Sequence, residues 1–231
     1  MRKPSVGRRL VACLSLLLLP ACQTETLFRS DFNTTPVNQP PATAQPVGTA
    51  HVDGPAGSVK VIAAPVPPSN QWVQVSRPNG PAVAGMQGKF SQFRGDGAYT
   101  FSATLFMPSQ SGVATVQFEP FQNQASDLVG FLHVDFMPEN NVRIDDDDST
   151  RFGSFARDQP FIVQVTLDIN ATSSTAHIVL AGASANGVKD HTIKPAFQNL
   201  SRQFGAIRIW QGFPHTGPFD ATNISVTRRT D

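Results

Sequence analysis

Phe161-Ile162-Val163-Gln164-Val165-Thr166-Leu167-Asp168-Ile169-Asn170, then Ala171 to Ser174, then Thr175-Ala176-His177-Ile178-Val179-Leu180, is the stretch on which the fold turns. Phe161, Val163, Val165, Leu167 and Ile169 recur at every second position, which places them on one face of an extended strand. A second run of the same character follows after a short Ala-Thr-Ser-Ser segment of turn-compatible residues, so the stretch predicts a β-hairpin.

The same period of two extends in both directions. Short runs rich in Val, Ile, Phe and Thr occupy His51 to Ile62, Gln71 to Ser76, Ala98 to Met107, Val113 to Phe118, Leu128 to Met137, Asn141 to Ile144, Gly205 to Trp210 and Asn223 to Thr227. In Ala98 to Met107, Tyr99, Phe101, Ala103 and Leu105 share one face, and Thr100, Ser102 and Thr104 the other. Leu27 to Asn33 alternates in the same way and is a candidate first strand. No stretch beyond residue 22 offers an amphipathic helix longer than about three turns, and Ala196 to Phe204 is the best short candidate. Some ten antiparallel strands in one domain predict an all-β, two-sheet sandwich or barrel.

Composition agrees. Of 231 residues, 40% are hydrophobic and only 15% charged, with 17 Phe against 1 Tyr and 2 Trp. That excludes a coiled coil and charge-rich disorder, and leaves ample apolar surface for a core.

The amino terminus reads as an address. Arg2, Lys3, Arg8 and Arg9 precede a ten-residue run, Leu10 to Leu19, that is apolar but for Ser15, and then Pro20-Ala21-Cys22. As helix, ten residues cover about 15 Å, half of a hydrocarbon core, so a cleaved signal over residues 1–21 is expected rather than a membrane span. Leu19-Pro20-Ala21-Cys22 resembles the bacterial lipobox. The resemblance implies that Cys22 becomes the acylated first residue, carrying palmitate-type chains that insert into the membrane. Gln23 in place of Asp at the next position implies the outer membrane. Cys13 would leave with the signal, so no disulfide is expected. Removing the signal leaves 14 basic against 17 acidic residues, with no dense Lys/Arg stripe, and nucleic acid is not an expected partner. Residues 22–26 are then expected as an acylated terminus and short tether, and 27–231 as the sandwich. The Pro-rich segment Thr34 to Pro46 is a spacer or, if Leu27 to Asn33 is a strand, a surface loop.

The hairpin, followed by Gly205-Ala206-Ile207-Arg208-Ile209-Trp210 and a closing Asp220-Ala221-Thr222-Asn223-Ile224-Ser225-Val226, resembles the concanavalin A-like jelly rolls, laminin-G-like modules included. In those the closing strand returns beside the first. The fold hosts lectins, glycosidases, lyases and adhesion modules, so the resemblance implies a fold and a short list of chemistries.

Laminarinase-like glucanases of this fold carry Glu-x-Asp-x-x-Glu, because retaining hydrolysis needs two carboxyl groups about 5 Å apart. The nearest stretch is His133-Val134-Asp135-Phe136-Met137-Pro138-Glu139, where His133 replaces the nucleophile and Pro138 interrupts the strand. His133 and Asp135 still share one sheet face. Arg208 and Trp210 share a face opposite Ile207 and Ile209, and a Trp at a strand end before the loop Gln211 to Pro218 is where a sugar-stacking rim is expected. Trp210, Arg208, His133 and Asp135 are therefore the candidate ligand-binding residues, with a glycan as the expected partner. The run Asp145-Asp146-Asp147-Asp148 needs solvent, the flanking Arg143 and Arg151, or a cation to offset its repulsion. Ca²⁺, with Asp145 and Asp147 as ligands, is the candidate cofactor. His51, His177, His191 and His215 show no zinc-ligand spacing. The alternative to a non-catalytic binder is a polysaccharide-active enzyme or a purely structural lipoprotein.

Overall fold

The computed structural model describes residues 23–66, 71–78, 82–122, 129–212 and 214–230. Cys22 and the signal-like segment before it lie outside the described residues, as does Phe213.

Sixteen strands make up nearly all of the regular secondary structure of the described residues. In order they are β1 (Gln23–Ser30), β2 (Thr49–Asp53), β3 (Val59–Ile62), β4 (Trp72–Arg77), β5 (Ala84–Lys89), β6 (Gly97–Phe106), β7 (Ala114–Pro120) and β8 (Leu132–Phe136). They continue as β9 (Val142–Ile144), β10 (Asp147–Phe152), β11 (Ser154–Phe155), β12 (Pro160–Ile169), β13 (Thr175–Ala181), β14 (Ala185–Thr192), β15 (Phe204–Gln211) and β16 (Gly217–Thr230). A 3₁₀ turn at Pro195–Phe197 leads into a one-turn helix, α1 (Gln198–Ser201), where the sequence offered its best helical candidate.

The strands form two antiparallel sheets. Sheet I has nine, ordered β11-β14-β13-β12-β6-β16-β4-β3 with β1 also on β16, and sheet II has seven, ordered β10-β9-β8-β7-β15-β5-β2. The deciding hairpin forms as expected, with Val163 opposite Leu180 and Leu167 opposite Ala176. The closing strand β16 lies between β6 and β4 and also carries β1 along its amino-terminal partner register, Phe28 opposite Val226 and Ser30 opposite Ile224.

Period two decides what is buried. In β12 the pattern is strict: Phe161, Val163, Val165, Leu167 and Ile169 are buried, while Ile162, Gln164 and Asp168 are exposed. Facing them from sheet II are Val116, Phe118, Leu132, Val134, Phe136, Ile207 and Ile209, all in one continuous core. Phenylalanines join the sheets edge to face, as between Phe101 and Phe118 at 5.5 Å, and Tyr99 and Phe204 at 5.2 Å.

Two expectations change, and one open alternative is decided. His51 to Ile62 is two strands in different sheets, because Gly54 and Gly57 take positive φ and turn the chain across the sandwich between β2 and β3. The first strand begins at Gln23, so residues 23–26, expected as a tether, are already in the sheet. Thr34 to Pro46 is the surface loop: Asn38 N–H donates to the Val61 carbonyl, Val61 N–H to the Gln39 carbonyl, and Ala50 N–H to the Thr43 carbonyl, each at 2.8 Å.

Candidate functional site

The outer face of sheet II carries polar side chains in cross-strand rows. Strand register places Asp53, Gly85, Trp210, Thr115, Asp135 and Arg143 in one row across β2, β5, β15, β7, β8 and β9. The next row is His51, Gln87, Arg208, Gln117 and His133. Both follow from the same alternation that sends Ile207, Ile209, Val116, Val134 and Phe136 into the core.

The second row lies over a fully buried network. Arg208 Nε donates to Glu119 Oε1 at 2.6 Å, Gln87 Nε2 to Glu119 Oε2 at 2.6 Å, and Gln117 Nε2 to Glu119 Oε1 at 3.1 Å. Arg208 also reaches Asp53 at 3.5 Å. Arg208 and Glu119 side chains have 0% exposure, so each is the other's main compensation for leaving water. Burial pushes the Glu119 carboxyl above its ordinary range, against the opposing pull of the Arg208 guanidinium. Arg208, expected at an accessible rim, is therefore a foundation beneath the face: its charge is spent on Glu119 and Asp53.

The first row is open. Val113, Thr115, His133, Asp135, Arg143, Asp146, Trp210, Gly212 and His215 line a cleft of about 220 Å³. Asp135 forms its floor, accepting from Thr115 Oγ1 at 2.8 Å and from Arg143 Nε and Nη2 at 3.2 and 3.1 Å. Burial raises the Asp135 carboxyl above its ordinary range, partly opposed by the Thr115 hydroxyl and the Arg143 guanidinium. Desolvation lowers the His215 imidazole, and the nearby Arg143 charge adds to that, so His215 is neutral at pH 7. Trp210 forms one wall. Two glycines leave room for it: a Cβ at Gly85 would lie 2.6 Å from Trp210 Cβ, and one at Gly212 2.6 Å from the ring atom Cζ3. Gln117 Oε1, His133 Nε2 and Trp210 Nε1 are buried hydrogen-bonding atoms with no partner among the described residues.

The acidic run does not form one nest of four carboxylates. Asp145 and Asp146 are the two central residues of the β9–β10 hairpin, with φ of 54° and 57°, and Ile144 pairs with Asp147 across them. Both φ positive is what a two-residue type I′ turn requires, at a steric cost for residues with a Cβ. The turn splits the pair. Asp145 points in, its side chain only 6% exposed, accepting from the His133 N–H at 2.9 Å and meeting His191 Nε2 at 3.2 Å and Lys194 Nζ at 3.7 Å. Burial works to raise its carboxyl, but the His191 and His133 bonds outweigh it and hold it below the ordinary aspartate value. Asp146 points out over the cleft, accepting from Arg143 Nη2 at 2.7 Å with His133 Nδ1 at 3.9 Å. Asp147 caps Ser149, and Asp148 pairs with Arg151. Asp145 and Asp147, expected as joint calcium ligands, thus serve different partners, and no cluster of three or more His, Cys, Asp or Glu with metal-holding geometry occurs among the described residues.

Of the sequence candidates, the structure brings Trp210, Asp135 and His133 to one cleft and places Arg208 beneath the same face. Asp146, Arg143, Thr115 and His215 join them there. The alternation Thr115, Gln117, Glu119 between Val116 and Phe118 was the available signal for Thr115 and the buried network. His215 had none, since only the loop after β15 brings it back over the sheet.

No protein-family model matches the chain, and no curated protein matches it. Solved structures do resemble it in fold. An endo-1,3-beta-glucanase from Streptomyces sioyaensis aligns with a TM-score of 0.53 at 12% identity, over 88% of this chain and 96% of that one. Arcelin-5, a lectin-like defense protein from Phaseolus vulgaris, gives 0.50 at 8% identity over 90% and 98%. Lectin II from Ulex europaeus gives 0.50 at 8% over 90% and 99%. At these identities the likeness establishes the fold, a concanavalin A-like jelly roll.

Proposed function

We propose that this chain is a membrane-anchored envelope lipoprotein whose jelly roll binds a carbohydrate, without catalysis, in the cleft between Trp210 and Asp146. One observation carries the binding reading: the Trp210 indole, for which Gly212 leaves room, stands in the same cross-strand row as the hydrogen-bonding groups of Thr115, Asp135 and Arg143. An aromatic plane beside a line of oriented polar groups suits a sugar ring, which offers an apolar face and hydroxyl edges. The fold's likeness to a glucanase and to lectins agrees with that class of ligand. Anchoring at Cys22 is supported by the charged, apolar and Leu-Pro-Ala-Cys succession of residues 2–22.

The test is a glycan array probed with the chain from Gln23 onward. Saccharide binding that Trp210→Ala weakens at least about tenfold, roughly 1.4 kcal/mol, is the expected result. A clean blank refutes the reading. One feature favours a second reading, a polysaccharide-cleaving enzyme: Asp135 and Asp146 both lie within 3.1 Å of Arg143 Nη2, and close carboxyl pairs perform glycoside hydrolysis. Release of reducing ends that Asp135→Asn abolishes would replace the first reading with this one.

A further inference from the structure

The place of strand β1 fixes how an anchored molecule stands. Gln23, one residue after Cys22, is already paired opposite Thr230, with Thr24 opposite Arg229 and Glu25 opposite Arg228. The only segment with the composition of a spacer, Thr34 to Pro46, follows β1 and is hydrogen-bonded back onto β2 and β3. An anchor on Cys22 therefore has no slack between lipid and sheet.

The end of the sandwich that meets the anchor can be traced through the register. Arg229 lies opposite Ala98, Ala98 opposite Asp168, and Asp168 opposite Thr175, so these residues share the anchor end of sheet I. Its rim is charged: Arg94 pairs with Glu25, and Arg202 with Asp96 at 2.8 Å. At the other end of β16, Gly217 pairs with Arg77. The loop over the cleft, through His215 and Thr216, belongs to that far end, whereas the Asp146 side of the cleft adjoins Asp145, which meets His191 next to the anchor-end row. Arg77 Nη1 donates to the His215 carbonyl at 2.9 Å, Gly112 N–H to the Thr216 carbonyl at 2.8 Å, and Gln211 Nε2 to the Val113 carbonyl at 3.2 Å. From Thr230 back to Gly217, strand β16 covers about 40 Å at the usual rise per residue.

We infer that the sandwich stands directly on a lipid surface, its β1/β16 end against the headgroups and its Gly217 end about 40 Å from the bilayer, with the cleft on the flank of sheet II between them. The inference rests on the anchoring at Cys22 proposed above. It makes the bilayer a docking partner of a defined face of the sandwich.

The test uses the full chain, expressed with its signal and reconstituted in phosphatidylethanolamine/phosphatidylglycerol vesicles bearing a headgroup-linked energy acceptor. A donor dye is attached at Asp168→Cys, at the anchor end, or at Gln110→Cys, beside Gly217 at the far end; both native side chains are exposed. Transfer several-fold stronger from position 168 than from position 110 is the expected result. Inserting a Gly/Ser spacer of about 12 residues, with r.m.s. length near 20 Å, between Cys22 and Gln23 should erase the difference. Equal transfer from both positions without the spacer, or stronger transfer from position 110, overturns the inference while leaving the anchor in place. A chain that remains in the aqueous layer on detergent phase separation overturns the anchor itself, and the inference with it.

Discussion

Asp220 offers the cleanest test of the energetics of sheet I. It sits in β16 between β6 and β4, 2% exposed, and its one charge-compensating bond is from Gln74 Nε2 at 3.0 Å. Burial raises its carboxyl from the ordinary 3.8 to about 6, and neither that bond nor the more distant Lys60 charge offsets the loss of water. A carboxyl with a raised folded pKa binds a proton more tightly in the folded than in the unfolded chain. Its contribution to stability is therefore fully present below the unfolded value and is lost as pH rises through the folded one. With one pKa unit worth about 1.4 kcal/mol, the protein should lose about 2 kcal/mol of stability from this residue between pH 4.5 and 7.5. Asp220→Asn removes the titration and keeps an oxygen for Gln74. The stability difference between the variant and the parent, from urea unfolding followed by circular dichroism, should swing toward the variant by that amount across the window. In melting temperature this is about 4–8 °C for a domain of this size. Every other carboxylate cancels in the difference. Parallel stability curves for the two proteins would refute the burial argument.

Other perturbations separate foundation from site. Arg208→Met leaves Glu119 buried without its charge partner and should cost about 3–5 kcal/mol, whereas adding Glu119→Gln should recover part of that loss; equal destabilisation by the single and double variants in urea titrations would contradict the assignment. Asp146→Gly relieves a positive-φ residue while removing an exposed ion pair, so unfolding free energy should change by less than about 1 kcal/mol. Saccharide affinity by calorimetry should nevertheless fall, and unaltered affinity would remove Asp146 from the site. Gly212→Ala pushes a methyl group into the Trp210 ring without backbone strain, so binding should weaken more than melting temperature drops; an unchanged Trp fluorescence spectrum would show that the indole had not moved.

How far the sequence could be read depended on where apolar residues sat. β6, β12, β13 and β15 face a core and show the alternation plainly. β5, Ala84-Gly85-Met86-Gln87-Gly88-Lys89, is buried throughout most of its length yet has no β-branched residue, because Gly85 and Gly88 make room for Trp210 and Phe28. β14, Ala185-Asn186-Gly187-Val188-Lys189-Asp190-His191-Thr192, flanks the short β11 at the sheet's margin, where polar side chains hide a strand from any hydrophobic reading. At the site, alternation was enough to put His133 with Asp135 and Arg208 with Trp210. It could not show depth. Arg208 and Trp210 share a face, yet the first is buried on Glu119 and the second stands at an open cleft, a difference set by residues from strands distant in sequence. The acidic run shows a related limit: four like charges in a row look like one unit, but a two-residue turn and a strand send successive side chains to different partners, Arg143 and Arg151 among them.

The buried Arg208–Glu119 network and the strained Asp145–Asp146 turn are both poor choices for stability alone. A buried ion pair is often no better than apolar residues of the same volume, and an Asn-Gly turn would adopt type I′ geometry with less strain. Their positions explain what they achieve. Gln87 and Gln117, the cross-strand neighbours of Arg208, are held by Glu119, so the row directly beside Trp210 and Thr115 cannot repack. On the other flank, Asp145 ties the turn to the His133 backbone in sheet II and to His191 in sheet I, which fixes Asp146 against Arg143. The cleft is thus clamped from both sides by interactions that cost the fold stability and constrain the first row. Preorganised polar groups lose little freedom when a ligand arrives, so the arrangement suits the binding role proposed above.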